Sequence, residues 1–541
     1  MKDSILWLQL KPRQKPDNNC LYSSIRDIKQ WVERISRLHI SEQDEHYISL
    51  LIEVNHLDIP VNERLIFLES LHQPVINLID YHSKKFLGSG LPLAEDKSKY
   101  VNRVNSYWFE MATAYKIIID DLSEDSFLTS FINKKDLSYS LYHVLFYLNG
   151  QLYSNYMLYS VCTENVWRDI HQIFRFATTK KLTHKTVKSD ISEQLSINEL
   201  YKKILLFSLA NPYHLTPQEK IFVWKSLDEW SQYASINFDT NEILKNHYTF
   251  IIHAYSDRSP FLNYQKKDDY EPDEVNISAV LSKSIWGIET EKLIKQLSTK
   301  NKYSGLSDYL AQRLSRNWQG NTKRIEHRKG LIEPVVITFR ASCIAKLLSE
   351  IEAESNFFKF DNIEEDTLEL TSVTCLQCKA YLIDESKSGF RLKLGHNTEE
   401  SIIPDIGEVI ALKHMDNGIH IGFLRWIREN SQGEIEFGVE HLCAMAEPVQ
   451  LIKSSSDQSN INPYLENINK LDSFVFPGGN EYNNQPILFT STFVEKFYRV
   501  RSDIIILKHK TGSINIKLVQ KVNEVLGYSL YLFEKAVDKS E

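Results

Sequence analysis

Cysteine and long apolar runs are both scarce in this sequence. Six cysteines among 541 residues are too few for the disulfide framework that holds small secreted domains together. Residues 1–13 lack the charged-then-apolar order of a signal peptide. No stretch has the uninterrupted apolar length of a transmembrane helix, and the richest, 142–161, is interrupted by Asn149, Gly150, Gln151 and Asn155. These absences predict a cytoplasmic protein that does not insert into a membrane.

Positive charge is not in excess either. The chain has 63 Lys and Arg against 71 Asp and Glu, a formal net charge of −8. This balance argues against a partner that is a nucleic-acid polymer, although a local basic patch can still hold one phosphorylated ligand. With 42% hydrophobic and 25% charged residues, the composition is that of a globular protein. At 541 residues the chain is too long for one core, so we expect several domains.

The cysteines include one close pair, Cys375 and Cys378, in a CxxC pattern. The surrounding run predicts a β-strand, on which residues three apart point to opposite faces, so the two thiols should diverge. A zinc site also needs a second cysteine or histidine pair at suitable spacing, and the sequence has none. We expect structural cysteines and no metal site.

Sequence patterns of common enzymes are absent as well. There is no GxxxxGK[ST] phosphate loop, no HExxH zinc motif and no GxSxG elbow. Residues 478–482 resemble the GGDEF signature of diguanylate cyclases, but Asn480 replaces an acidic residue and the preceding segment does not have the required α/β pattern. We therefore expect no catalytic residues, no cofactor and no enzymatic activity.

Residues 1–318 have the pattern of successive helices. The clearest start lies at Thr216-Pro-Gln-Glu219, with a Thr cap, Pro at the first helical position and Glu three residues past the cap. Apolar stripes at helical spacing run through 25–38, 47–57 and 107–122, and another follows Thr216 through Val223, Leu227, Trp230 and Ala234. The stretches 178–192 and 257–274 look like connections between helices. No fixed repeat period occurs, which favours a helical bundle or stack over a solenoid.

After Trp318 the pattern changes to short β-rich runs separated by turns. Six strands are predicted, with one helix at 343–351 after the first: 334–339, 370–383, 390–394, 408–414, 419–428 and 435–442. Asn417-Gly418 is a strong hairpin signal between two of them. A polar linker at 454–460 precedes a second β-rich segment. The expected fold is α+β and multi-domain: an all-α helical domain (1–318), a six-stranded antiparallel β-barrel (319–453) and a second small barrel-like domain (464–541).

Two short motifs bracket the start of the first barrel. Arg324 and Arg328 form RxxxR before its first strand, and Asp384, Ser386 and Gly389 form DxSxxG after its second. In this order the motifs resemble those of the PilZ family, and the resemblance covers roughly residues 320–452. It implies a PilZ-type barrel, cyclic di-GMP as ligand, a bacterial source, and an output such as motility, pili, attachment or exopolysaccharide.

The chemistry of these residues suits that ligand, which carries two guanines and two phosphates on one ring. The planar fork of an arginine meets a guanine edge or a phosphate through two hydrogen bonds and also stacks on a base. The Asp384 carboxylate can accept hydrogen bonds from the N–H edge of a guanine, and Ser386 offers a small hydroxyl. Gly389 permits a positive φ and a close approach of the backbone. Lys323 precedes the first arginine, at a position that the resemblance links to binding one ligand molecule or an intercalated pair.

Three functions compete at this point. The first is a cyclic di-GMP receptor whose helical domain transmits the signal to a protein partner. The second is a protein-interaction scaffold whose PilZ-like barrel no longer binds ligand, and the third is a small-barrel nucleic-acid binder. The intact motifs favour the first over the second. The net negative charge and the lack of aromatic residues interleaved with arginine near the motifs disfavour the third.

Overall fold

The computed structural model describes most of the chain in separate stretches. A few isolated residues between these stretches are described as well. The stretches are 10–17, 25–89, 91–124, 134–186, 195–239, 249–262, 285–298, 305–320, 328–350, 377–394, 405–414, 418–430, 432–453, 470–478, 485–492, 494–509, 511–525 and 528–536. The chain divides into two compact units, Met1–Ser89 with Leu93–Lys323, and Gly90–Pro92 with Arg324–Glu541.

The first unit is mainly helical, as the sequence predicted. Its helices are α1 (Ile25–Ile35), α2 (Ile40–Asn55), α3 (Val61–Phe86), α4 (Glu95–Glu124), α5 (Lys134–Met157), α6 (Val166–Thr179), α7 (Ile197–Leu209), α8 (Pro217–Trp230), α9 (Glu291–Ser298) and α10 (Asp308–Gln319). Single 3₁₀ turns lie at Pro212–His214 and Ser231–Tyr233.

The start of α8 is the capping box that the sequence indicates. The Thr216 side chain accepts a hydrogen bond from the backbone N–H of Glu219 at 3.2 Å, and the Glu219 carboxylate accepts from the Thr216 N–H at 2.9 Å. Both bonds satisfy N–H groups that the first helical turn leaves without partners, a contribution of about 1 kcal/mol to stability. Glu219 also pairs with Arg313 of α10 at 3.0 Å, which links the first turn of α8 to a later helix.

The apolar stripe of α8 enters the core of this unit. Val223, Leu227 and Trp230 are completely buried, and Trp230 meets Trp318 of α10 edge to face, with ring centroids 6.0 Å apart. The N–H of Trp318 donates to the carbonyl of Leu206 at 3.0 Å. The stripe at helical spacing therefore predicted correctly which face of α8 packs inward.

A small sheet within this unit departs from the predicted all-α domain. Its strands are β1 (Ser235–Asn237), β2 (Phe250–His253), β3 (Phe261–Leu262) and β4 (Ile285–Glu289), in the antiparallel order β1-β4-β2-β3. β3 lies in the stretch 257–274 that we expected to be a connection between helices. The strands are two to five residues long. They are too short for alternation of apolar and polar residues to identify them in the sequence.

The first barrel is the six-stranded antiparallel barrel that the sequence predicted. It consists of β5 (Lys329–Phe339), β6 (Gln377–Ser386), β7 (Gly389–Leu394), β8 (Val409–Lys413), β9 (Ile419–Glu429) and β10 (Ile435–Cys443), closed in the order β10-β7-β6-β5-β8-β9. The predicted helix after the first strand is α11 (Ala341–Glu350). Closure gives every strand two hydrogen-bonded neighbours and leaves no open edge.

The second barrel is also closed. It consists of β11 (Glu447–Lys453), β12 (Lys470–Pro477), β13 (Pro486–Ser491), β14 (Ile505–His509), β15 (Gly512–Val525) and β16 (Tyr528–Lys535), in the order β11-β12-β13-β16-β15-β14, with a short helix α12 (Val494–Phe497). Its first strand corrects the predicted boundary at 453, because residues 447–453 pair with β12 and β14 and not with the first barrel. The polar stretch at 454–460 therefore follows a strand of the second barrel and does not separate the two.

One apolar cluster joins the two barrels. Its members come from α11, β8 and β9 on one side and from the second barrel on the other: Ile344, Ala345, Val409, Ala411, Ile421, Phe423, Phe474, Phe476, Ile487, Phe489 and Leu530, with Cys443 of β10. In β8 four consecutive residues, Val409 to Leu412, are buried. A strand covered on both faces shows such a continuous apolar run, and here the second face packs against the second barrel.

Candidate functional site

The structure brings the two motifs together on the first barrel. Arg328 directly precedes β5, and Asp384 lies on β6, where its register partner is Gly330. The Arg328 guanidinium donates a hydrogen bond to the Asp384 carboxylate and forms an ion pair with it. The two side chains are 26% and 15% exposed, so both remain accessible to a ligand. One residue of each motif thus contributes to a single charged site.

Two irregularities in strand pairing flank Asp384. The β5–β6 register shifts between Gly330 and Glu333, and the β6–β7 register shifts between Leu382 and Asp384. In a regular strand Leu382 and Asp384 face the same side, and Leu382 is completely buried. A bulge changes this alternation and redirects the side chains beyond it. The carboxylate is therefore directed to the outer surface, where Arg328 lies.

A second arginine, which the sequence analysis missed, joins this site. Arg391 on β7 is the register partner of Asp384, and its Nη1 lies 3.7 Å from the second carboxylate oxygen. Its Nη2 donates to Glu436 of β10 at 2.7 Å. Counting back from a two-residue hairpin loop at 387–388 pairs residue 384 with residue 391, so the sequence did contain a signal for this neighbour.

Ser386 and Gly389 flank that two-residue loop. The Ser386 hydroxyl lies 3.3 Å from the Ser388 hydroxyl and donates to the Gly389 carbonyl at 3.3 Å. The loop is also attached to β10, because the backbone N–H of His441 donates to the Ser388 carbonyl at 2.9 Å. Burial lowers the pKa of His441, which favours its neutral form. The turn of the motif is thus held in place by the barrel itself.

The role of Gly389 differs from the one predicted. Among the described residues, Gly389 is not one of the glycines with positive φ, so the predicted left-handed conformation is wrong. A Cβ at this position would lie 2.2 Å from the carbonyl oxygen of Val439. The close backbone approach that we predicted does occur, but the approaching backbone is that of β10. Glycine is required here because any side chain would push β10 away from β7.

Lys323 and Arg324 lie outside the described residues. Their predicted contacts with a ligand therefore remain predictions. Arg328 is the part of the RxxxR motif whose position the structure gives.

In the described part of the chain, the other motifs of the sequence give no second site. Burial raises the pKa of the Cys378 thiol to about 12, and Cys375 hydrogen bonds with Cys343. Gly478 follows β12 in the connection to β13, two antiparallel strands of the second barrel, which is not the setting of a cyclase signature. In the stretches that the structure describes, no three His, Cys, Asp or Glu side chains are placed to hold a metal ion.

None of the described helices is both long enough and apolar enough to span a bilayer.

Comparison with known proteins connects the helical unit to second-messenger receptors. Residues 26–241 match the family model described as "Cyclic-di-GMP receptor FimW, N-terminal domain". This match makes the helical unit similar to the N-terminal domain of that receptor family. It lies entirely before the two motifs, and is consistent with the resemblance to PilZ-type receptors that they carry.

One curated relative is the cyclic-di-GMP receptor FimW of Pseudomonas aeruginosa. It is 25% identical over 219 residues, which cover 40% of this chain and 35% of the relative. The aligned part thus spans about a third of the relative's length. No solved structure gives a significant match to this chain.

Proposed function

We propose that this chain is an effector that binds cyclic di-GMP at the Arg328–Asp384 site. The observation that carries the proposal is the direct contact between one residue of RxxxR and one of DxSxxG. The motifs alone are short patterns, and their meeting on one surface is what a shared ligand requires. The match of the helical unit to a receptor family supports the same conclusion from a separate part of the chain.

Each residue has a role that follows from its chemistry. Asp384 accepts hydrogen bonds from the N–H groups of one guanine, and Arg328 turns its fork from Asp384 to a guanine edge or a phosphate. Ser386 donates its hydroxyl beside them. Arg324 and Lys323 complete the positive side of the site. Arg391 keeps the Asp384 carboxylate paired when Arg328 leaves it.

The helical unit is proposed to pass the signal to a protein partner. The relative's printed name states a receptor for cyclic di-GMP, and a receptor needs an output. The output, following the family resemblance, is motility, pili, attachment or exopolysaccharide in a bacterial cytoplasm. The chain binds no nucleic-acid polymer in this proposal.

A scaffold without ligand binding is the alternative that one observation favours. Asp384 contacts both Arg328 and Arg391, and such a cluster also forms where charges serve only to stabilise a surface. Under this alternative, the helical unit still binds a protein, but no nucleotide controls it.

Calorimetry decides between the two. Purified protein, first freed of bound nucleotide by unfolding and refolding on a column, is titrated with cyclic di-GMP, GMP and GTP. We expect stoichiometric binding of cyclic di-GMP and much weaker binding of the mononucleotides, which lack the second guanine in a closed ring. Absence of both heat and a thermal shift with the refolded, folded protein would establish the scaffold.

A further inference from the structure

A row of residues extends from Asp384 across the outer surface of the first barrel. Asp384 on β6 is paired with Arg391 on β7, Arg391 with Gly438 on β10, and Gly438 with Trp426 on β9. Residues directly opposite one another in antiparallel strands place their side chains on the same face. The row therefore places an acidic, a basic and an aromatic side chain side by side, with a glycine between the last two.

Gly438 lets the Trp426 indole lie against the sheet. A Cβ on Gly438 would lie 1.8 Å from the indole Nε1 and 2.3 Å from Cε2, so the ring occupies the space that a side chain would fill. Trp426 is nevertheless partly exposed. Within the described part of the chain, no hydrogen bond or ring contact involves this indole. An aromatic surface is thus fixed in position and open to a planar partner.

The spacing of the row suits a ligand with two bases. The indole lies over Gly438, two strands from Asp384, and neighbouring strands are about 4.8 Å apart, so it is roughly 10 Å from the Asp384 strand. Arg391 lies between them with a side chain that is 37% exposed. A cyclic dinucleotide has the matching order of parts, a base, a charged phosphate-bearing ring and a second base.

We propose that Trp426 is the stacking surface for the second guanine of cyclic di-GMP, with Arg391 facing a phosphate between the two bases. This inference rests on the proposed function, because it assigns the half of the ligand that the motifs do not contact. Aromatic rings bind bases of any sequence through their faces, and guanine presents a large purine face. Arg391 exchanges its contact with Glu436 for the phosphate, which arginine binds through its planar fork.

A simpler role for Trp426 is to cover Gly438. Aromatic side chains are known to pack over glycines on neighbouring strands and to stabilise the sheet there. Under that role, replacing Trp426 lowers stability and leaves the affinity for ligand unchanged. The two roles therefore differ in what they predict for binding by variants that remain folded.

The experiment uses the full chain with three substitutions of Trp426. Replacement by phenylalanine keeps an aromatic face, and replacement by leucine or alanine removes it. We expect the dissociation constant for cyclic di-GMP to rise about 10- to 100-fold in Trp426→Leu and Trp426→Ala, the scale of losing one stacked base, and only a few-fold in Trp426→Phe. Tyr381→Leu is the matched control, because Tyr381 is also an aromatic residue exposed on this barrel, at 44%, but lies outside the row.

Two further measurements make the outcome decisive. Gly438→Ala keeps the indole but displaces it, so it should also weaken binding, by less than Trp426→Ala. Thermal unfolding is recorded for each variant so that affinities are compared only between folded proteins. Unchanged affinity in folded Trp426→Leu would overturn the inference, while a wild-type protein that binds no cyclic di-GMP would overturn the proposed function itself.

Discussion

Replacing Arg328 with alanine separates a ligand contact from a structural ion pair. The Arg328 and Asp384 side chains are 26% and 15% exposed, and Arg328 lies just before β5, outside the barrel core. Ion pairs that are this accessible to solvent contribute about 0–1 kcal/mol to the free energy of unfolding, because water and salt screen them. The free energy of unfolding of Arg328→Ala should therefore fall by less than about 1 kcal/mol.

The effect on binding should be larger. A hydrogen bond to a charged group contributes about 1.5–3 kcal/mol, so loss of the Arg328 contact raises the dissociation constant for cyclic di-GMP by about 10- to 150-fold. Asp384→Asn should weaken binding on the same scale. Arg328→Lys keeps the charge but loses the planar fork, so its affinity should lie between those of the wild type and Arg328→Ala.

The assay is calorimetric titration with cyclic di-GMP, combined with denaturant unfolding of each variant. Arg13→Ala is the matched control: it also removes one partly buried arginine–aspartate pair, that with Asp121, but in the helical unit. This control should leave the dissociation constant unchanged. An Arg328→Ala protein that unfolds readily while ligand affinity stays at the wild-type value would refute the reasoning and assign the pair to the fold.

Three further predictions follow from the same structure. Gly389→Ala should lower the free energy of unfolding by about 2 kcal/mol or more in denaturant titration, because its Cβ would lie 2.2 Å from the Val439 carbonyl oxygen; a fully stable variant would contradict this steric role. Burial lowers the pKa of His171 from 6.5 to about 4, so below pH 6.5 the unfolded chain binds a proton more readily than the folded protein does. The free energy of unfolding should therefore fall by about 3 kcal/mol as the pH is lowered from 6.5 to 4. Unfolding of His171→Gln measured across this range should lack that component, and equal pH dependence in both proteins would exclude it. Cyclic di-GMP should protect residues 318–332 as well as 384–389 from amide hydrogen exchange, and protection confined to 384–389 would argue against transmission of the signal through the segment that contains RxxxR.

Much of the helical unit could be predicted from short stretches of sequence. The capping box at Thr216–Glu219 and the apolar stripe behind it involve residues no more than one or two turns apart. Helix hydrogen bonds connect residue i with residue i−4, so the information that forms a helix lies within the same segment. The site residues Arg328, Asp384 and Ser386 were likewise found as local patterns, without knowledge of what lies beside them.

In the barrels, some strand partners lie far apart in the chain. Alternation and turn residues identified most of the strands, but the predicted boundary at 453 left residues 447–453 in the first barrel, because the partners of β11 are decided by pairing across the sheet. The requirement for glycine at position 389 is equally non-local, because a side chain there would collide with the carbonyl oxygen of Val439 on β10. Strand hydrogen bonds join segments far apart in the chain, and no single segment contains both partners.

The sequence by itself determined the helices, the change to β-structure after Trp318 and the residue types that suit a guanine ligand. Tertiary structure alone decided which strands close each barrel, how a bulge turns Asp384 outward, and which neighbours it meets across the sheet. Arg391 and Trp426 lie in one row with Asp384 only because closure of the barrel places β7, β10 and β9 in successive positions beside β6. The physical reason is that side-chain chemistry is set by each residue, whereas neighbours on a sheet are set by the register of strands that the whole chain must bring together.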